Sequence, residues 1–100
     1  MKKLQPQEIE TYLSTVEGWQ LIEDKWIQKK YRFKQFLSGI RFVNEVAQIA
    51  ENRLNHHPFI SIEYKLITLR MTTWHAGGLT ELDFQAATAF DEAYRQLATE

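Results

Sequence analysis

The chain has 100 residues, a net charge of −1, and 44% hydrophobic and 25% charged residues, an ordinary composition for one globular domain with a modest core, expected over residues 1–100. The near-zero charge and the lack of a basic stripe give no global field for nucleic acid, so no nucleic-acid partner is expected. The absence of cysteine excludes disulfides, thiolate catalysis and cysteine-based zinc sites.

The start, Met1-Lys2-Lys3-Leu4-Gln5-Pro6, is basic but has no apolar core, so it does not read as a signal peptide. No apolar run approaches the ~20 residues of a membrane span. A soluble, cytoplasmic protein with no membrane partner is expected. Pro6 suits the first turn of a helix; Ile9, Tyr12, Leu13 and Val16 follow at helical spacing, and Gly18 ends the element. A hairpin comes next. Trp19 and Leu21 alternate with polar residues, Glu23-Asp24 makes the turn, and Ile27, Lys29, Tyr31 and Phe33 share the face opposite Trp26, Gln28, Lys30 and Arg32. Lys29-Lys30 is expected to be a solvated strand edge.

From about Gln35 the period changes. Phe36, Ile40, Val43, Ala47, Ala50 and Leu54 are spaced as one stripe of a long amphipathic helix. Gly39 within it points to close packing, and Asn55 ends it before the helix-hostile His57-Pro58 step. In the second hairpin Ile60, Ile62 and Tyr64 share one face, as do Ile67, Leu69 and Met71 on the return strand. A turn at Lys65-Leu66 sets Ile62 opposite Leu69 and Ile60 opposite Met71; a turn one residue earlier, at Tyr64-Lys65, shifts the pairs. Gly77-Gly78 breaks the strand. Thr80-Glu81-Leu82-Asp83 reads as a capping box opening the last helix, whose stripe is Leu82, Ala86, Ala89/Phe90, Ala93 and Leu97. The order α-β-β-α-β-β-α implies an α+β fold: a four-stranded antiparallel sheet with helices packed on one face.

All three histidines fall at the two ends of the second hairpin, His56 and His57 before it and His75 after it. Imidazole exchanges protons near neutral pH, so clustering every copy in one place marks a candidate site. Both hairpin registers bring His57 and Trp74 to one face, while the side of His56 depends on whether the strand extends past Pro58. His75 follows Trp74 and is inverted relative to it, which makes it a solvent-facing loop residue. Adjacent histidines on a strand point apart and no His-x-His or His-x₃-His spacing occurs, so no metal site is expected. On its own, Asp83 reads as a helix cap and Tyr64 as a sheet aromatic. Trp19 and Trp26 divide evenly between packing and a ligand wall.

Taken together, His56-His57-Pro58, Tyr64, Trp74 and Asp83 resemble the signature of the pterin-4a-carbinolamine dehydratase family, with each spacing met. Ala76-Gly77-Gly78-Leu79-Thr80 and Trp19 also fit, and the element order covers the whole chain. Two positions depart from the pattern. The acidic residue common four before the first histidine is Asn52 here, with Glu51 adjacent but rotated about 100° around an α-helix. The third family imidazole is replaced by Trp74, and indole cannot shuttle a proton.

The resemblance implies a hydro-lyase that removes water from 4a-hydroxytetrahydropterin to give quinonoid dihydropterin, without metal or other cofactor. It recycles the pterin of aromatic amino acid hydroxylases, which implies a functional link to such an enzyme. His56 and His57 are then the candidate catalytic residues, with acid and base unassigned. Trp74, Pro58, Trp19, Asn52 and Asn55 are the candidate substrate-binding residues, Trp74 by stacking on the ring and Asn52 or Asn55 by fixing a histidine tautomer. A homodimer or homotetramer is expected, since Tyr12, Phe36, Phe42 and Phe90 exceed what one stripe needs. Two alternatives stay open: a non-enzymatic dimerisation or regulatory module, and a pterin-binding protein linked to molybdopterin metabolism.

Overall fold

The structure is a computed structural model that describes residues 1–98; the last two residues of the expected domain lie outside the described residues. Helix α1 (Pro6–Leu13) opens with Pro6 at its first turn and a reciprocal cap in which the Gln5 N–H donates to the Glu8 carboxylate at 2.8 Å,. Strands β1 (Gln20–Ile22) and β2 (Trp26–Arg32) follow. Their turn is carried by Glu23 and Asp24, both at positive φ (53° and 60°), the conformation that lets a tight hairpin follow the twist of its strands.

Helix α2 (Phe36–Gln48) runs into a π-helical turn (Ile49–Leu54), then come β3 (Phe59–Glu63), β4 (Leu66–Met71), a 3₁₀ turn (Trp74–Ala76) and helix α3 (Glu81–Ala98). The sheet order is β1-β2-β4-β3 with every pair antiparallel. The expected architecture and element order are therefore present. Ile27, Tyr31, Ile67, Leu69 and Met71 are buried on one face of the sheet, with Phe42, Val46, Phe84 and Phe90 from the helices above them. Truncating a buried Phe of this kind costs about 3–5 kcal/mol.

Four details differ from the sequence reading. First, β2 is an internal strand, so Lys29-Lys30 is not a solvated edge. Lys30 is exposed, but the Lys29 ammonium is tied to Asp91 at 2.9 Å and to the Glu17 carbonyl at 2.9 Å. Second, the turn of the second hairpin falls at Tyr64-Lys65, with Tyr64 at φ 56°, and pairs Ile60 with Leu69 and Ile62 with Ile67. This is the earlier of the two registers.

Third, Ile60 and Ile62 share the face of Leu69 and Ile67, yet both are exposed, because β3 is the sheet edge and the helices do not reach over it. Fourth, the buried stripe of α2 is Gly39, Phe42 and Val46, continued by Ile49 and Ala50; of the expected Phe36-Ile40-Val43-Ala47-Ala50-Leu54 row Ala50 is buried and Val43 and Leu54 flank the core, while the first part of the helix is turned by one position. Apolar residues occupy both flanks, and spacing alone cannot choose between two adjacent rows. Packing chooses: a Cβ on Gly39 would lie 3.4 Å from Phe33 and 3.5 Å from Ile67, so the helix meets the sheet along the glycine.

Candidate active site

The histidines sit where the π-helical turn hands over to β3. A π turn closes i→i+5 bonds and so accommodates one residue more than the α-helix it continues. Asn55 ends it in the left-handed conformation (φ 48°, ψ 47°), as a C-terminal cap does. The His56 N–H then donates back to the Ala50 carbonyl at 3.1 Å. That bond fixes the backbone of His56 and turns its ring inward toward the start of α3.

There the His56 Nε2 lies 2.6 Å from Asp83 Oδ1. The side chains are 9% and 0% exposed. The other carboxylate oxygen, Oδ2, accepts from the Thr80 N–H (2.9 Å) and the Thr73 hydroxyl (2.8 Å), and the Thr73 and Thr80 hydroxyls are 2.9 Å apart. Asp83 is therefore the acidic half of the expected capping box and also the partner of an imidazole. A buried carboxylate requires this many donors. Because it accepts from Nε2–H, the His56 nitrogen left to exchange a proton is Nδ1.

His57 is built differently. Its Nε2 lies 2.8 Å from Glu51 Oε1, and the two side chains are 55% and 71% exposed. An α-helical register would rotate Glu51 away from the position four before His56, but the π turn changes the angle and the carboxylate swings onto His57. Two neighbouring imidazoles thus each hold a carboxylate through Nε2, one in the interior and one in water.

Trp74 begins the 3₁₀ turn after β4 and is 67% exposed. Its ring stands edge-on to Trp26 (5.2 Å, 85°) and 6.2 Å from Phe59. Thr73, its chain neighbour, shares Asp83 with His56, and Phe59, which packs near its ring, is two residues from His57. Pro58 makes that link and is half-buried. Asn55 serves through its backbone, as the cap. His75 is exposed in the 3₁₀ turn.

Two expected site residues lie elsewhere. The Asn52 amide donates to Gln48 Oε1 at 2.6 Å and sits in a groove between the π turn and α3, because the turn that aims Glu51 at His57 aims its neighbour away. Trp19 is buried, and its indole N–H donates to Asp91 at 3.1 Å. Asp91 is eight residues beyond Asp83, about 12 Å along the helix. The same carboxylate accepts from Lys29 (2.9 Å) and from the Tyr31 hydroxyl (2.6 Å); burial, and then the Asp91 hydrogen bond, push the Tyr31 phenol far above its ordinary value,. This is a second polar cluster, separate from the histidines.

Sequence reasoning missed Glu51 as the partner of His57, and Thr73 and Thr80 as supports of Asp83. The acid was set aside on α-helical geometry, and no propensity signal marked the π turn. Among the described residues no three His, Cys, Asp or Glu side chains are grouped as metal ligands would be.

The family model for pterin 4 alpha carbinolamine dehydratase matches residues 2–93. A protein of Picosynechococcus, provisionally named a pterin-4-alpha-carbinolamine dehydratase, is 41% identical over 90 residues, covering 90% of this chain and 96% of its own. A second, from Gloeobacter violaceus and provisionally named in the same way, is 42% identical over 92 residues, covering 89% and 99%. Among solved structures, a transcriptional coactivator/pterin dehydratase from Brucella melitensis superposes with a TM-score of 0.88 at 28% identity, over 93% of this chain and 99% of that one. A pterin dehydratase-like RuBisCO assembly factor of the alpha-carboxysome shares the fold at a TM-score of 0.57 and 18% identity, over 82% and 90%. The chain belongs to the pterin-4-alpha-carbinolamine dehydratase family.

Proposed function

We propose that the chain dehydrates 4a-hydroxytetrahydropterins, releasing water and the quinonoid dihydropterin. The observation that carries this reading is the pair of adjacent imidazoles, each with Nε2 on a carboxylate: His56 on Asp83 in the interior and His57 on Glu51 in solvent. The reaction breaks the C4a–O bond and removes the proton on N5 as the C=N bond forms. The leaving oxygen needs a proton and N5 must lose one, so the step calls for one acid and one base on a flat ring. General acid–base help of this kind contributes about 10²–10⁴-fold.

In this reading each Nε2–H is committed to its carboxylate, which orients the ring and selects the tautomer. The exchanging atom of each histidine is Nδ1. One imidazole takes the N5 proton while the other, protonated, delivers its proton to the leaving oxygen. His57 faces solvent and returns the pair to its starting protonation state. Trp74 supplies an exposed ring face for the pterin and Pro58 a rigid wall. Trp19 and Asn52 have no part in it, since their polar atoms are engaged elsewhere.

The carbinolamine substrate arises where a tetrahydropterin-dependent hydroxylase acts on an aromatic amino acid, which makes such an enzyme the functional partner. The test is turnover of carbinolamine generated in situ by a hydroxylase. The parent chain accelerates dehydration, and His57→Ala loses a factor of at least ten. No acceleration by the parent chain ends the proposal.

A specific observation also favours self-association. β3 is an unpaired sheet edge with Ile60 and Ile62 exposed, and exposed Phe36 stacks on Tyr64 at its end (6.3 Å). Strand edges of this kind pair with other chains unless blocked. We propose that two copies join along β3, with sedimentation as the check: a sharp monomer at tens of micromolar contradicts it.

A further inference from the structure

The helix-free face of the sheet carries an aromatic shelf that the acid–base chemistry does not use. The pairing puts Gln28, Arg70 and Phe59 in one row of that face and Lys30, Thr68 and Ser61 in the next,. Trp26 packs against Phe59 (5.3 Å) and edge-on against Trp74 (5.2 Å), so rings from three segments brace one another. The Arg70 guanidinium lies over two of them, 4.5 Å from the Trp26 centroid and 5.3 Å from Phe59. The two rings hold the cation in place without using its N–H donors. Among the described residues the Arg70 guanidinium makes no hydrogen bond or ion pair.

Next to the shelf is a groove of about 440 Å³ lined by Phe59 and Arg70 and then by Lys30, Ser61, Thr68 and Glu63. His57 precedes Phe59 by one row of the sheet. At 3.4 Å per residue, Arg70 is about 7 Å and Lys30 about 14 Å down the face from the row of His57. Two cations against one distal carboxylate make the near part of the groove electropositive.

We propose that the shelf and groove hold the C6 substituent of the pterin and that this substituent ends in an anion, a phosphate or a carboxylate, received by Arg70 and Lys30. The inference rests on the dehydratase reading and names the substrate class of that site. A ring seated against Trp74 beside the histidines has its side chain directed along the rows toward Arg70. A planar guanidinium held against aromatic rings offers parallel N–H donors to two oxygens of one anion. A neutral hydroxyalkyl tail would leave those donors in water, with no reason for the rings to hold them.

The test is calorimetric binding to the full chain of three stable dihydropterins: one with a neutral hydroxyalkyl tail, the same tail ending in phosphate, and one with an aminobenzoyl-glutamate tail. The anionic tails bind about tenfold tighter than the neutral one at low salt, as one charge-assisted contact supplies, and the preference shrinks at high salt. The better of the two identifies phosphate or carboxylate. Arg70→Gln abolishes the preference and Arg70→Lys keeps part of it. Lys30→Gln, on the exposed surface and harmless to folding, reduces it by a smaller factor. Equal affinity for all three tails, or a preference unchanged in both Arg70→Gln and Lys30→Gln, overturns the anionic tail while leaving the dehydratase reading intact. No binding of any pterin overturns both.

Discussion

The imidazole of His57 ends on the carboxylate of Glu51, 2.8 Å away and six residues upstream, and it does so because the chain between them begins as a π turn. The relation replaces the acidic residue expected at position 52 with its neighbour and leaves Asn52 bonded to Gln48. The position that the family signature marks and the position that reaches the imidazole therefore differ by one residue at this site.

That displacement is testable by exchange. Glu51→Gln keeps the shape but removes the charge, and kcat for carbinolamine dehydration falls about tenfold, the low end of acid–base contributions. Asn52→Ala leaves kcat within twofold. The reverse ranking in a steady-state assay would return the role to Asn52.

Asp83 anchors the start of α3 to the histidine turn. Its carboxylate holds His56, the Thr73 hydroxyl and the Thr80 N–H with no exposure to solvent. Asp83→Ala strands all three donors and removes the cap of α3, so urea unfolding reports a loss of about 3–5 kcal/mol. Asp83→Asn retains the shape and two of the acceptor contacts, and loses less.

Tyr31 sets an alkaline limit. Burial, and then the hydrogen bond its hydroxyl donates to Asp91, raise the phenol above the ordinary 10.0. Above about pH 10 the unfolded chain releases this proton and the native chain keeps it, so the native state binds more protons and stability falls as pH rises, by up to about 1.4 kcal/mol per pH unit. Below that range the contribution is fully present. Tyr31→Phe flattens the slope of stability against pH between 10 and 12, and a slope unchanged by the substitution assigns it to another group.

Gly39 is held by backbone approach, yet it has room for one methyl. A Cβ would stand 3.4 Å from Phe33 and 3.5 Å from Ile67, which is ordinary contact. Gly39→Ala raises stability by about 0.5–1 kcal/mol through the helix entropy that glycine forfeits. Gly39→Leu overfills the same gap and lowers it by about 1–3 kcal/mol. Thermal melts of the two variants moving in the same direction would contradict this packing.

The sequence carried the fold because alternation and helical spacing are local properties. The two hairpins, the Glu23-Asp24 turn, the Asn55 stop and the Thr80-Asp83 cap all follow from residues within a few positions of one another. The features that escaped it are set by tertiary packing. Which row of α2 faces the sheet depends on where the helix backbone can approach Ile67. Ile60 and Ile62 are exposed because of sheet order, which no alternation encodes. At the site, the histidine pair and Trp74 were legible as residues, but their partners were not. Glu51 reaches His57 only through a π turn, and Asp83 reaches His56 only because α3 begins beside Asn55. Trp19 divides evenly between packing and a ligand wall on sequence and is a core residue in the structure, because Asp91 lies within reach of its indole only once α3 is docked.

The proposed acid–base pair of His56 and His57 on a pterin carbinolamine is tested by dehydration rates of hydroxylase-generated carbinolamine with the parent chain, His56→Ala, His57→Ala and the double variant. Each single variant loses at least tenfold, and the double variant loses little more than the worse of the two, as residues acting as one unit do. Single variants that turn over at the parent rate contradict it.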